Sequence, residues 1–167
     1  CLNYMTVNCL LTDAAGKTNG VHAVDTLDGK EYQIKSKVVV NATGVFVDDV
    51  MKMDECDTRR KVRPSQGVHL VVDSKFLGGR SALMIPKTKD GRVLFGVPWH
   101  GKVVLGTTDT PLNEASLEPR ALEEEVDFIL DQAGQYLDRK PTRADVLSIF
   151  AGLRPLAAPT HADSKKT

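Results

Sequence analysis

Residues 63–73 read Arg63-Pro64-Ser65-Gln66-Gly67-Val68-His69-Leu70-Val71-Val72-Asp73. From Gly67 onward the stretch predicts a β-strand. Side chains alternate across a strand, so Val68, Leu70 and Val72 share one face while His69 and Val71 share the other. A histidine inside such a strand is either a satisfied core residue or a group placed to exchange protons, since an imidazole titrates near neutral pH.

Outward from this strand, residues 82–86, 93–97 and 103–106 are further short β-type runs, with a turn at Lys89-Asp90-Gly91, and they read as adjacent antiparallel strands. On the other side lies a meander: runs at 2–11, 21–27 and 31–34, with Asp28-Gly29 as a two-residue hairpin turn. Residues 37–44, Lys37-Val38-Val39-Val40-Asn41-Ala42-Thr43-Gly44, form a continuous apolar run of the kind that suits a strand buried on both faces. One helix is expected. Leu122, Val126, Ile129, Leu130, Ala133, Tyr136 and Leu137 recur at helical spacing, behind Pro119 and three acids at 123–125, and Pro141 is read as its end. The acids at 123–127 read most simply as a solvated face. A final β run at 146–150 leads into Ala151-Gly152-Leu153-Arg154-Pro155.

The elements give an α+β class: an antiparallel or mixed sheet with one main amphipathic helix, preceded by the β-meander and the buried strand. Domain boundaries are expected at 45/46 and 160/161, the last residues forming a tail. The chain has 167 residues with 22 basic and 22 acidic side chains. Such a balance lacks the electrostatic footprint of a nucleic-acid binder, so small molecules are the expected partners. Cys1, Cys9 and Cys56 are odd in number and have no CxxC spacing, which suggests neither a disulfide framework nor a zinc site, and a reducing compartment fits. No apolar run approaches the ~20 residues that span a bilayer, and no grouping has metal spacing. A start at Cys1 without Met and a charged, small-residue stretch at 163–167 read as the ends of an excised fragment.

Several short motifs stand in a fixed order. They are 38–44 (ending Asn41-Ala42-Thr43-Gly44), 63–72, Ile85-Pro86, Val97-Pro98-Trp99-His100-Gly101-Lys102, Gly106-Thr107-Thr108-Asp109-Thr110, and Phe150-Ala151-Gly152-Leu153-Arg154-Pro155-Leu156. Together they resemble the FAD-dependent glycerol-3-phosphate dehydrogenases over nearly the whole chain. The resemblance implies oxidation of sn-glycerol 3-phosphate to dihydroxyacetone phosphate with hydride transfer to FAD and electrons passed on to a quinone. It makes residues 1–45 part of an incomplete FAD-binding domain and 46–160 a substrate-binding domain. It also implies a cytoplasmic enzyme, with peripheral contact at the inner face of the cell membrane as an alternative.

By the same resemblance His69 is the catalytic base and Arg154 holds the substrate's phosphate through its paired donors; Arg63 is either a second cation for the substrate or a residue that serves folding. Thr108, with Thr107 and Asp109, either meets substrate or flavin or makes turn structure. Ala42, Thr43 and Gly44 lie against the flavin nucleotide, and Val7 meets its adenine end through its backbone. Gln66 departs from the pattern, where lysine is commoner. His100 and His22 read as turn or strand residues. No GxGxxG turn occurs in this sequence. Alternatives stay open: a glycerol-3-phosphate oxidase, an oxidase of amino or N-methyl acids, or, for this piece alone, an inactive substrate-binding module.

Overall fold

A computed structural model describes residues 1–55 and 57–158. Cys56, the expected tail at 161–167 and His161 lie outside the described residues. The chain forms two compact units, one from residues 1–62 with the segment after 156, the other Arg63–Leu156.

In the first unit, β1 (Met5–Thr12), β2 (Thr18–Asp25) and β3 (Glu31–Lys35) make an antiparallel meander in that order. A bulge between Val7 and Cys9 interrupts the β1 register. The β2–β3 connection is longer than the two-residue turn that Asp28-Gly29 suggests: Asp25 N–H donates to the Lys30 carbonyl and Gly29 N–H to Asp25, with Gly29 at φ +74°. The 37–44 segment is not a strand. It runs unpaired, with Val38 72% and Val40 79% exposed. A strand buried on both faces needs neighbours at both edges, and none pairs with it among the described residues. The α1 helix (Val47–Asp54), which sequence patterning did not reveal, follows. Both carboxylate oxygens of its Asp48 accept backbone N–H bonds, from Lys61 at 2.9 Å and Val62 at 3.0 Å. That tie keeps residues up to Val62 with the first unit, later than the division at 45/46 read from sequence.

The second unit is an antiparallel sheet ordered β5 (Leu83–Ile85), β6 (Leu94–Trp99), β7 (Lys102–Gly106), β4 (Val62–Asp73) and β8 (Thr110–Pro111), with β9 (Ser148–Ala157) also paired to β4. One face carries Val68, Leu70, Val72, Ile85, Leu94, Val103 and Leu105, all buried against Val126, Ile129, Leu130 and Ala133 of α2 (Glu123–Ala133). The alternation expected from residues 68–72 is therefore the one that builds this core. The helix stops at Gly134, well before Pro141, and Tyr136 is exposed. The Gly152-Leu153-Arg154-Pro155 segment lies inside β9 rather than after it.

The opposite face is open. His69 of β4 is level with Gly106 of β7 and Phe95 of β6, and Phe95 with Met84 of β5. Phe95 and Met84 are exposed.

The two faces should differ in mutational cost. Ile129→Ala, in the sealed core, should lower unfolding free energy by about 2–5 kcal/mol, whereas Val97→Ala on the open face should cost less than about 1 kcal/mol. Urea titration of each variant measures this. Equal losses would mean that both faces are covered.

Candidate active-site face

The candidate site in the second unit is assembled by two glycines. A side chain at Gly67 would collide with the Arg154 guanidinium, at 2.8 Å from its Cζ, and one at Gly106 would run into the His69 imidazole. Each glycine thus leaves room for a functional group of a neighbouring strand, and any larger residue would displace it.

Arg154, on β9, is half-buried. Its Nη1 donates to the Thr108 carbonyl at 3.1 Å, and its Nη2 to the Thr107 hydroxyl at 3.1 Å. Asp109 Oδ1 pairs with Nη1 at 3.5 Å, an ion pair that is weak because both side chains are partly exposed to solvent. The same Oδ1 also accepts a hydrogen bond from the Ser65 hydroxyl. The guanidinium is held by mostly neutral groups and keeps an exposed portion, which leaves its positive charge available to an anion.

His69, half-buried on the open face, stacks on Phe150 with ring centroids 5.0 Å apart and planes 11° from parallel. Burial, and secondarily the positive charge of Arg154, push its pKa below the usual histidine value. The ring is therefore neutral at neutral pH and able to accept a proton. Phe150 is the partner that sequence reasoning missed. Phe150 opens the 150–156 motif, but nothing local in the sequence marks it as facing His69.

Thr108 is buried, and its side chain is committed. The hydroxyl donates to Glu125 at 2.9 Å and accepts the Val68 N–H at 3.0 Å. Its contribution to the site is the backbone carbonyl that meets Arg154. Glu125 corrects a second reading: far from belonging to a solvated face, it is 4% exposed beneath the sheet. Arg63 is exposed at the start of the unit. His100 occupies the β6–β7 connection at φ +46°, edge-on to Trp99. His22, on β2, lies 2.6 Å from the Asn8 side chain and 3.2 Å from Glu31, a surface cross-strand cluster.

The cofactor candidates lie in the first unit. Val7 is half-buried in β1 just before the bulge. Ala42, Thr43 and Gly44 are exposed. Gly44 adopts φ +59°, with nothing within 4 Å of where a side chain would stand, and the Asn41 amide braces the segment by donating to the Val47 carbonyl at 2.9 Å. The result is accessible, locally fixed backbone. Among the described residues no cluster could hold a metal ion, and no helix is long and apolar enough to cross a membrane.

The described residues thus present an open sheet face with a neutral imidazole and a guanidinium, and separately a strip of uncovered backbone. The chain belongs to the FAD dependent oxidoreductase family, whose pattern it matches over residues 3–164. Among individual relatives it is 44% identical to a mitochondrial glycerol-3-phosphate dehydrogenase of Arabidopsis thaliana, over 99% of this chain and 26% of that protein. It is 40% identical to the mitochondrial glycerol-3-phosphate dehydrogenase of Bos taurus, over 98% of this chain and 23% of that one. The chain thus spans about a quarter of the length of these curated relatives. The glycerol-3-phosphate dehydrogenase of Bacillus halodurans, solved in complex with FAD, superposes with a TM-score of 0.86 at 40% identity, over 97% of this chain and 32% of that one. A glycine oxidase from Bacillus cereus shares the fold at 18% identity and a TM-score of 0.60.

The coupling between the two groups is measurable by NMR titration of the His69 ring protons. The midpoint should lie below the usual histidine value and rise when Arg154 is replaced by alanine, because one of the two causes of the depression is then gone. An unmoved midpoint would mean that the two groups do not sense each other.

Proposed function

We propose that this chain supplies the substrate face of a flavoenzyme that oxidises sn-glycerol 3-phosphate to dihydroxyacetone phosphate. The observation that carries the reading is the half-exposed Arg154 guanidinium, held against Gly67 and paired only with the partly exposed Asp109 at 3.5 Å, beside an imidazole kept neutral. A phosphate and an adjacent secondary hydroxyl match that pair in charge and chemistry. The names of the relatives support the same substrate.

Arg154 binds and orients the phosphate through paired donors. His69 accepts the proton of the C2 hydroxyl at a ring nitrogen, and Phe150 holds the ring by stacking. Arg63 is a further cation at the edge of the unit. Thr108 acts through its carbonyl rather than its hydroxyl.

FAD fits the residues present. Ala42, Thr43 and the open space at Gly44 allow a flat nucleotide to approach backbone closely, and Val7 offers backbone from an edge strand. When bound, the flavin supplies the two-electron acceptor for the alcohol's oxidation. The anion site of a GxGxxG turn is not in this sequence, so the chain by itself acts as a binding module. We assign quinone as the onward acceptor, in a cytoplasmic enzyme, with peripheral contact at the cell membrane as the alternative. Oxygen is the alternative acceptor.

Two variants of the flavin-loaded enzyme test the roles. His69→Ala should lower turnover about 100-fold or more with flavin content retained, since a positioned general base contributes ~10²–10⁴; wild-type turnover would make His69 a packing residue. Arg154→Ala should lower kcat/KM for glycerol 3-phosphate roughly 30- to 700-fold, the equivalent of about 2–4 kcal/mol. Lysine should restore only part of the loss. The preference for glycerol 3-phosphate over glycerol should fall with it. Equal losses on both alcohols would remove Arg154 from the phosphate site.

A further inference from the structure

The most heavily bonded carboxylate in the second unit has no place in the mechanism so far. Glu125 sits in the first turn of α2, nearly sealed from solvent. One oxygen accepts from the Thr108 hydroxyl at 2.9 Å and the Thr110 hydroxyl at 2.6 Å. The other accepts from the Gln66 amide at 2.7 Å and the Leu122 N–H at 2.9 Å. Burial alone would raise its pKa, but these four donors outweigh it and hold the group below the ordinary glutamate value.

Capping the first turn of α2 needs only the bond from Leu122. The other three donors come from the two segments that flank Arg154. Gln66 precedes the glycine on which the guanidinium rests, and it also donates to the Arg120 carbonyl at 3.0 Å. Thr108 provides the carbonyl that Arg154 meets. An ionised carboxylate can only accept, so the Thr108 hydroxyl must point its proton at Glu125, and its lone pairs are left to take the Val68 N–H. That pair of bonds fixes the Thr108 side chain between α2 and β4, and with it the direction of its carbonyl.

We infer that Glu125 is a positioning residue for the anion site: by clamping Gln66 and Thr108 it fixes the edge at 107–108 that aims the Arg154 guanidinium. The inference rests on Arg154 being the phosphate ligand.

The test is a double-mutant cycle in the flavin-loaded enzyme. Glu125→Gln should raise KM for glycerol 3-phosphate about tenfold with kcat changed less than about twofold, and the preference over glycerol should fall by a similar factor. Placed on Arg154→Ala, the same change should add less than about twofold, because its effect passes through the missing guanidinium. Losses that multiply in the double variant, or that fall equally on glycerol, would make Glu125 a purely structural residue and overturn the inference. Should Glu125→Gln fail to fold, Thr108→Ser and Thr108→Val decide: serine should keep the preference and valine lose it, and equal behaviour of the two would also overturn it. If Arg154→Ala leaves the preference untouched, the phosphate-site reading fails as well. If Arg154→Ala abolishes the preference while Glu125→Gln does not, only the positioning role fails.

Discussion

The Arg154 guanidinium fills the volume where a side chain at position 67 would stand. This contact between a charged group and bare backbone sets demands on everything around it. The sheet must bring β4 and β9 side by side, position 67 must be glycine, and the far end of the guanidinium must find acceptors that do not cancel its charge. The Thr108 carbonyl and the Thr107 hydroxyl meet the last demand, and the partly exposed Asp109 pairs with the guanidinium through a single oxygen at 3.5 Å. A carboxylate in close bidentate contact would have turned the same arginine into a structural ion pair.

The second glycine repeats the device. Gly106 stands level with His69 across the β4–β7 pair and leaves room for the imidazole, while Phe150 covers one side of the ring. Partial burial and the neighbouring positive charge both favour the neutral ring. The two groups are therefore not independent: a cation that binds an anion also keeps the adjacent base unprotonated. The sealed core and α2 below the sheet give this open face a rigid support, and Glu125 carries that rigidity from the helix to the loop.

Features that depend on the alternation within one strand could be read from residues alone. The alternation at 68–72 predicts which side chains enter the core, and His69 falls on the opposite face as that pattern requires. The order of the motifs led to the flavoprotein resemblance, and the family match agrees with it. Features that depend on partners distant in sequence could not be read. Glu125 sits among three consecutive acids, and only the tertiary placement of Gln66, Thr108 and Thr110 makes it the buried one. The 37–44 run is apolar enough for an interior strand, yet it is left unpaired because a strand exists only through its neighbours. α2 ends earlier than Pro141 suggests because Gly134 terminates it first, and α1, eight residues long, is too short to carry a clear periodic pattern.

A crystal structure of the flavin-loaded enzyme with glycerol 3-phosphate bound tests the central claim most directly. The account predicts phosphate oxygens at about 2.7–3.2 Å from the Arg154 guanidinium and the C2 hydroxyl at a similar distance from a His69 ring nitrogen. A phosphate held elsewhere, with Arg154 making only its bonds to Thr107 and Thr108, would contradict it.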